Sequence, residues 1–97
     1  MFTVNKRVIC KDGTSLSVQA NEFAYCAPRI SGAPFYTAVE VGYIETADGA
    51  KARTPWGWKK YQDGKGSGVY GYVPSDLVAS FIMSHGGMVD GKLPLLG

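Results

Sequence analysis

Hydrophobic and polar residues alternate in the first part of the chain. In RVICK, Val8 and Cys10 alternate with Arg7, Ile9 and Lys11. In SLSVQ, Leu16 and Val18 alternate with Ser15, Ser17 and Gln19. Successive strand side chains point to opposite faces, so each run has one face for burial and one for water. Asp12-Gly13 stands between the two runs, and this dipeptide predicts a hairpin whose central residues must tolerate positive φ. FYTAVEVGYIET, residues 35–46, is the longest strand candidate. Its alternation puts Phe35, Val39, Val41 and Tyr43 on one face and Tyr36, Ala38, Glu40, Gly42 and Ile44 on the other. Gly42 marks a bulge or a sharp bend.

The remaining segments are shorter. NEFAYCAPRISGAP predicts an irregular loop, with Phe23 and Tyr25 pinning it to the core. KARTPWGWKKYQ reads as a second strand run, its start confined by Pro55 to an edge or a kink. DGKGSG reads as a turn and VYGYV as a short strand. Pro74-Ser75-Asp76 opens a helix over about residues 75–85, with Ser75 or Asp76 able to cap its first amides. Leu77, Val78, Phe81 and Ile82 form the apolar stripe, and Gly86-Gly87 ends it. The tail, residues 86–97, is apolar and either packs back or meets another chain. The pattern predicts a single mainly β domain over residues 1–97. Its expected form is a small barrel or strongly bent antiparallel sheet of about five strands, with one C-terminal helix.

Composition narrows the function classes. Ninety-seven residues, 45% of them hydrophobic, suit one modest core. Ten basic and eight acidic residues leave a net charge of +2, weak for a dedicated nucleic-acid binder. MFTVNKRVIC lacks the apolar stretch of a signal peptide, and no apolar run is long enough to cross a bilayer. Two cysteines are too few for a disulfide framework, so the expectation is a cytoplasmic protein with reduced thiols.

Candidate chemistry is sparse. Arg29 stands near Cys26 and could favour its thiolate, and His85 is the single histidine. The sequence does not bring the two together, and a buried cysteine packing as a small hydrophobe is the commoner arrangement. Two isolated cysteines and one histidine lack zinc spacing. GSGVYG fits the dinucleotide fingerprint in letters only, because a strand follows it where a helix should. The reading is a protein without catalytic set, cofactor or metal. Glu40, a charge in an apolar strand, either faces solvent, pairs with Arg29 or Arg53, or sits at an interface. Lys51, Arg53, Trp56, Lys59, Lys60 and Lys65 form a basic aromatic run of the kind that binds single strands, which keeps nucleic acid as an alternative partner.

Two resemblances add context. WGWKKYQDGKGSGVYGYVPSDLV, residues 56–78, resembles the distal half of Src homology 3 domains. That implies a similar strand closure and, as a further alternative, peptide reading. Trp58 falls at the second tryptophan position, whereas Gly57 and Leu77 stand where groove aromatics belong, so the closure is the firmer implication. Tyr25-Cys26-x-Pro28-Arg29 followed by Tyr36-Thr37-x-Val39-Glu40-Val41-Gly42 resembles small accessory proteins of bacteriophages and prophages. This implies a phage-encoded accessory protein made in the bacterial cytoplasm; with no catalytic set in view, the expectation is that it binds, and inhibits, a host protein such as a defence component. Six Tyr, four Phe and two Trp exceed what a modest core requires. Interfaces favour Tyr, Trp and Arg, so Tyr25, Arg29, Tyr36, Trp56 and Tyr61 are the contact candidates. The apolar helix and tail also predict a homodimer through that end.

Overall fold

The computed structural model describes residues 4–64 and 68–97. Five strands form one antiparallel sheet: β1 (Val8–Cys10), β2 (Ser15–Gln19), β3 (Ala38–Glu45), β4 (Val69–Pro74) and β5 (Met88–Asp90). Their spatial order is β4-β3-β2-β1-β5, so a four-strand meander gains its last strand at the far edge. The helix α1 (Ser75–Ser84) carries the chain from one edge to the other. Ten helical residues rise about 15 Å and four strand spacings cover about 19 Å, so α1 and Gly86-Gly87 just bridge the sheet. β4 and β5 remain opposite edges: the sheet is strongly bent and open.

Alternation in β1 and β2 holds as read. Val8, Cys10, Leu16 and Val18 are buried, and Val8 pairs with Leu16 across the hairpin. The turn differs in detail. Gly13 has φ +93° and Asp12 is not in the left-handed region; Gly13 N–H donates to Cys10 O and Cys10 N–H to Thr14 O. This is a three-residue loop with one left-handed glycine. The Asp12 carboxylate accepts the Thr14 N–H at 2.9 Å and holds the loop in shape.

β3 and β4 break the alternation at matching places. Opposite Ser15–Ser17, β3 uses an extra residue between Gly42 and Glu45; opposite Val39–Val41, β4 uses one between Tyr70 and Val73. The bulged residues are Tyr43 and Tyr72, each at φ +54°. A bulge shifts the strand by one residue and exchanges its faces. Ile44 therefore turns inward, and Tyr43, expected beside Val41, turns out. β3 also starts later than expected. Tyr36 is buried ahead of it and Phe35 is exposed, the reverse of the expected faces.

WGWKKYQ is not a strand. Trp58 N–H donates to Pro55 O across a turn with Gly57 at φ +85°, and Lys59–Tyr61 form one 3₁₀ turn. Glycine supplies the positive φ of this turn, and the chain cannot extend through it. β4 pairs instead with β3, although Gln62 keeps one bridge to Tyr70.

α1 begins at the expected residue, but Ser75 does not cap it. Its Oγ donates to Tyr36 O at 2.5 Å and its N–H to Thr37 O, tying the helix start to the entry of β3. Val78 and Ile82 are buried and Leu77 and Phe81 half-buried, matching the predicted stripe. At the other end Gly86 N–H reaches Met83 O and Gly87 N–H reaches Ile82 O, a Schellman closure. The tail packs back. Tyr36 N–H donates to Leu95 O, Gly97 N–H donates to Tyr36 O, and Leu93 and Leu96 lie against the core. Among the described residues, no helix is long and apolar enough to cross a membrane.

Candidate functional site

The loop between β2 and β3 is pre-shaped from within. Asn21 is buried, and its Oδ1 accepts the N–H of Phe23 and of Ala24 at 2.8 and 2.9 Å. Ala24 and Cys26 turn inward and anchor the loop, so Phe23 and Tyr25 turn out. That corrects the reading of those two aromatics as core pins. Tyr25 N–H donates to Glu40 Oε1 at 3.0 Å, which gives the strand carboxylate its role: it ties the loop to β3. Tyr25 O accepts the N–H of Tyr72 at 2.9 Å, and a Cβ at position 71 would stand 3.1 Å from Tyr25 Cβ. Gly71 therefore lets the loop lie close on β4.

This contact creates an ordered aromatic surface. The Tyr25 and Tyr72 rings stack at 5.9 Å, inclined by 27°. The Arg29 guanidinium lies 5.1 Å from the centre of the Tyr25 ring and donates to Phe23 O at 3.3 Å. Phe23 and Ile30 add exposed apolar area, and a hollow of about 160 Å³ runs between Phe23, Val4, Gln19 and Glu40. Tyr72, 48% exposed, holds a left-handed φ that costs a bulky residue about 1–3 kcal/mol. The strain belongs to the bulge, which turns the Tyr72 ring out to solvent.

The contact candidates separate. Tyr25 and Arg29 meet on this surface. Tyr36 does not belong there: it is 4% exposed, and its hydroxyl donates to Ile30 O at 2.7 Å. Its side chain pins the 30–33 loop, while its backbone N–H and C=O hold the tail. Trp56 is 99% exposed on the Pro55–Trp58 turn, and Tyr61 is half-buried close behind it with Lys60 over its ring at 5.4 Å. Lys51, Arg53, Lys59 and Lys60 are exposed on the same loop, and Lys65 lies outside the described residues. Sequence reasoning missed Phe23 and Tyr72 as surface aromatics. For Tyr72 the available signal was the repeated Gly-Tyr at 42–43 and 71–72, since both pairs sit at bulges; for Phe23 there was none.

The remaining candidates are occupied elsewhere. Trp58 is 2% exposed between Tyr70 and Phe81, with ring centres at 5.6 and 5.4 Å, so it cannot wall a peptide groove. Burial pushes the Cys26 thiol up despite Arg29, and its Sγ lies 3.2 Å from Asn21 O. Cys10 is likewise raised by burial and then by the Asp12 charge. His85 Nδ1 is 2.6 Å from Asp12 Oδ2 and 3.2 Å from Thr14 Oγ1, with its ring against Phe81. Cys26 and His85 share none of these partners. Among the described residues, no cluster of three His, Cys, Asp or Glu could hold a metal. No family model, curated protein or solved structure matches the chain.

Proposed function

We propose that this chain acts by binding: it is a phage-type accessory protein that seats a host protein on the Phe23–Tyr25–Arg29–Tyr72 surface and inhibits it there. The observation that carries the reading is the exposed stack of Tyr25 on Tyr72 with Arg29 over it. Tyr and Arg dominate interface hot spots, and rings already held in place lose little freedom on binding. Binding is preferred to catalysis because both thiols are buried and held protonated, and His85 is engaged by Asp12 and Thr14. The bacteriophage resemblance supplies the host context. Exposed Met83 at the helix end, with Met88 and Val89 of the edge strand β5, extends the proposal to self-association through the helix end. Sedimentation giving only monomer at high concentration would remove that extension.

The test is capture from host lysate with immobilised wild type, Tyr25→Ala/Tyr72→Ser and Met83→Ser. The proposal predicts one protein retained by wild type and by Met83→Ser and lost by the tyrosine double variant. Equal retention by all three would overturn it.

A further inference from the structure

The net charge of +2 conceals an uneven distribution. Residues 51–60 carry Lys51, Arg53, Lys59 and Lys60 and no carboxylate. That segment is +4, so the rest of the chain sums to −2 (+2 less +4). Arg53, Lys59 and Lys60 are exposed, and the ion pairs of the described residues, Lys6–Asp90, Arg7–Glu45 and His85–Asp12, involve none of them.

The loop is fastened at several points. Ala52 N–H donates to Ile44 O, Tyr70 Oη donates to Thr54 Oγ1 at 3.1 Å, and Trp58 is buried. Trp56, at the second position of the intervening turn, is held away from the body of the protein. Its 99% exposure leaves the indole open to stacking, and no other large hydrophobic residue of the loop is exposed. A protein interface would need an apolar centre around the indole, which the loop lacks. A base needs only a planar ring to stack on and cations to meet its phosphate. At the root of the loop, a half-open hollow of about 300 Å³ is lined by Tyr43, Lys51, Ala52 and Tyr70, with Glu45 at its side. Tyr43, 59% exposed and turned out by its bulge, offers a second aromatic ring there.

We infer that the 51–60 loop binds single-stranded nucleic acid, with Trp56 stacking on a base and Arg53, Lys59 and Lys60 contacting phosphates. The site shares no residue with the Tyr25–Tyr72 surface and stands or falls without it. It is a sequence-tolerant site, since every base offers a face for stacking.

The experiment titrates the full chain with oligo(dT) and oligo(rU), following tryptophan quenching and the anisotropy of the labelled strand. Trp56 supplies the accessible emission because Trp58 is buried. Three neutralised phosphates predict a log–log salt slope of about −2. Between about 50 and 200 mM salt, affinity should fall roughly twentyfold. Trp56→Ala should weaken binding roughly five- to 150-fold. Lys59→Glu/Lys60→Glu should weaken it further and flatten the slope by about 1.4. Both variants change exposed side chains, and unchanged circular dichroism and melting confirm their folding. Absence of binding even at low salt would overturn the inference, as would affinity indifferent to Trp56→Ala. Equally tight, Trp56-dependent binding of poly-glutamate would also overturn it, because the site would then serve an acidic protein.

Discussion

Trp56 and Trp58 are two residues apart and are assigned opposite environments, so their truncation provides a sharp test. Trp58 is 2% exposed and touches Tyr70 and Phe81, linking the 51–61 loop to β4 and α1. Removing a buried tryptophan side chain to alanine costs about 3–5 kcal/mol, from lost transfer energy and the cavity left behind. A domain of this length holds only about 5–15 kcal/mol in total. At about 4–8 °C per kcal/mol, Trp58→Ala should lower the melting temperature by roughly 12–40 °C, or leave the chain unfolded. Trp56 buries nothing, so Trp56→Ala should change stability by less than about 0.5 kcal/mol. Urea and thermal denaturation followed by far-ultraviolet circular dichroism compare the two on one scale. Acrylamide quenching gives a second reading: the readily quenched emission should be lost in Trp56→Ala, because Trp58 is buried. Comparable losses for the two variants, or a cost above about 1 kcal/mol for Trp56→Ala, would refute the placement of this loop.

Other expectations follow from backbone geometry and charge. Gly91 has φ +100° and lies on β1, where a Cβ would meet Val8 Cα at 2.6 Å, so Gly91→Ala should cost about 2–4 kcal/mol. Gly49→Ala, with φ +82° and open space around it, should cost only about 1–2 kcal/mol in thermal melts, and equal losses would contradict the close approach at Gly91. Tyr43→Gly should be more stable than Tyr43→Ala by about 1 kcal/mol in urea titration, because φ +54° favours glycine; the opposite order would remove the bulge conformation. Asp12 is held below the usual carboxylate range, first by the Thr14 N–H and then by His85. A carboxylate whose folded pKa is depressed stabilises the fold above its unfolded pKa of about 3.9 and loses that contribution as pH falls through the lowered value. Asp12→Asn should therefore flatten the acid limb of a stability-versus-pH curve below about pH 4, and an unchanged limb would exclude Asp12 as its source.

What could be read ahead of the structure depended on whether local pattern and tertiary demand agreed. The β1–β2 hairpin and α1 were legible because alternation, Asp12-Gly13, the apolar stripe and Gly86-Gly87 act over a few residues and point the same way. β3 was legible as a strand, and its faces were legible at Val39 and Val41 but not beyond the bulge. A single left-handed residue, Tyr43, reverses every later side chain; Gly42 signalled a bulge there, but not which residue would bulge. The 51–61 segment misled because aromatic and basic residues read as strand, while Gly57 and the burial of Trp58 impose a turn. Tyr36 looked like a contact residue by type; it is buried with its hydroxyl on Ile30 O and its backbone bonded to a tail sixty residues away, which no local pattern contains. Tyr25 and Arg29 were named as contact candidates from residue type alone, and the structure places the two side by side at the surface. Tyr72 was not, because its exposure follows from the second bulge.

The most direct test of the binding account is a hydrogen-exchange footprint of the captured host complex. The account predicts slowed exchange concentrated in residues 21–30 and 70–73, around the stacked Tyr25 and Tyr72, with the β1–β2 hairpin unchanged. Protection confined to the hairpin and β5, with the Tyr25–Tyr72 surface exchanging as in the free protein, would contradict it.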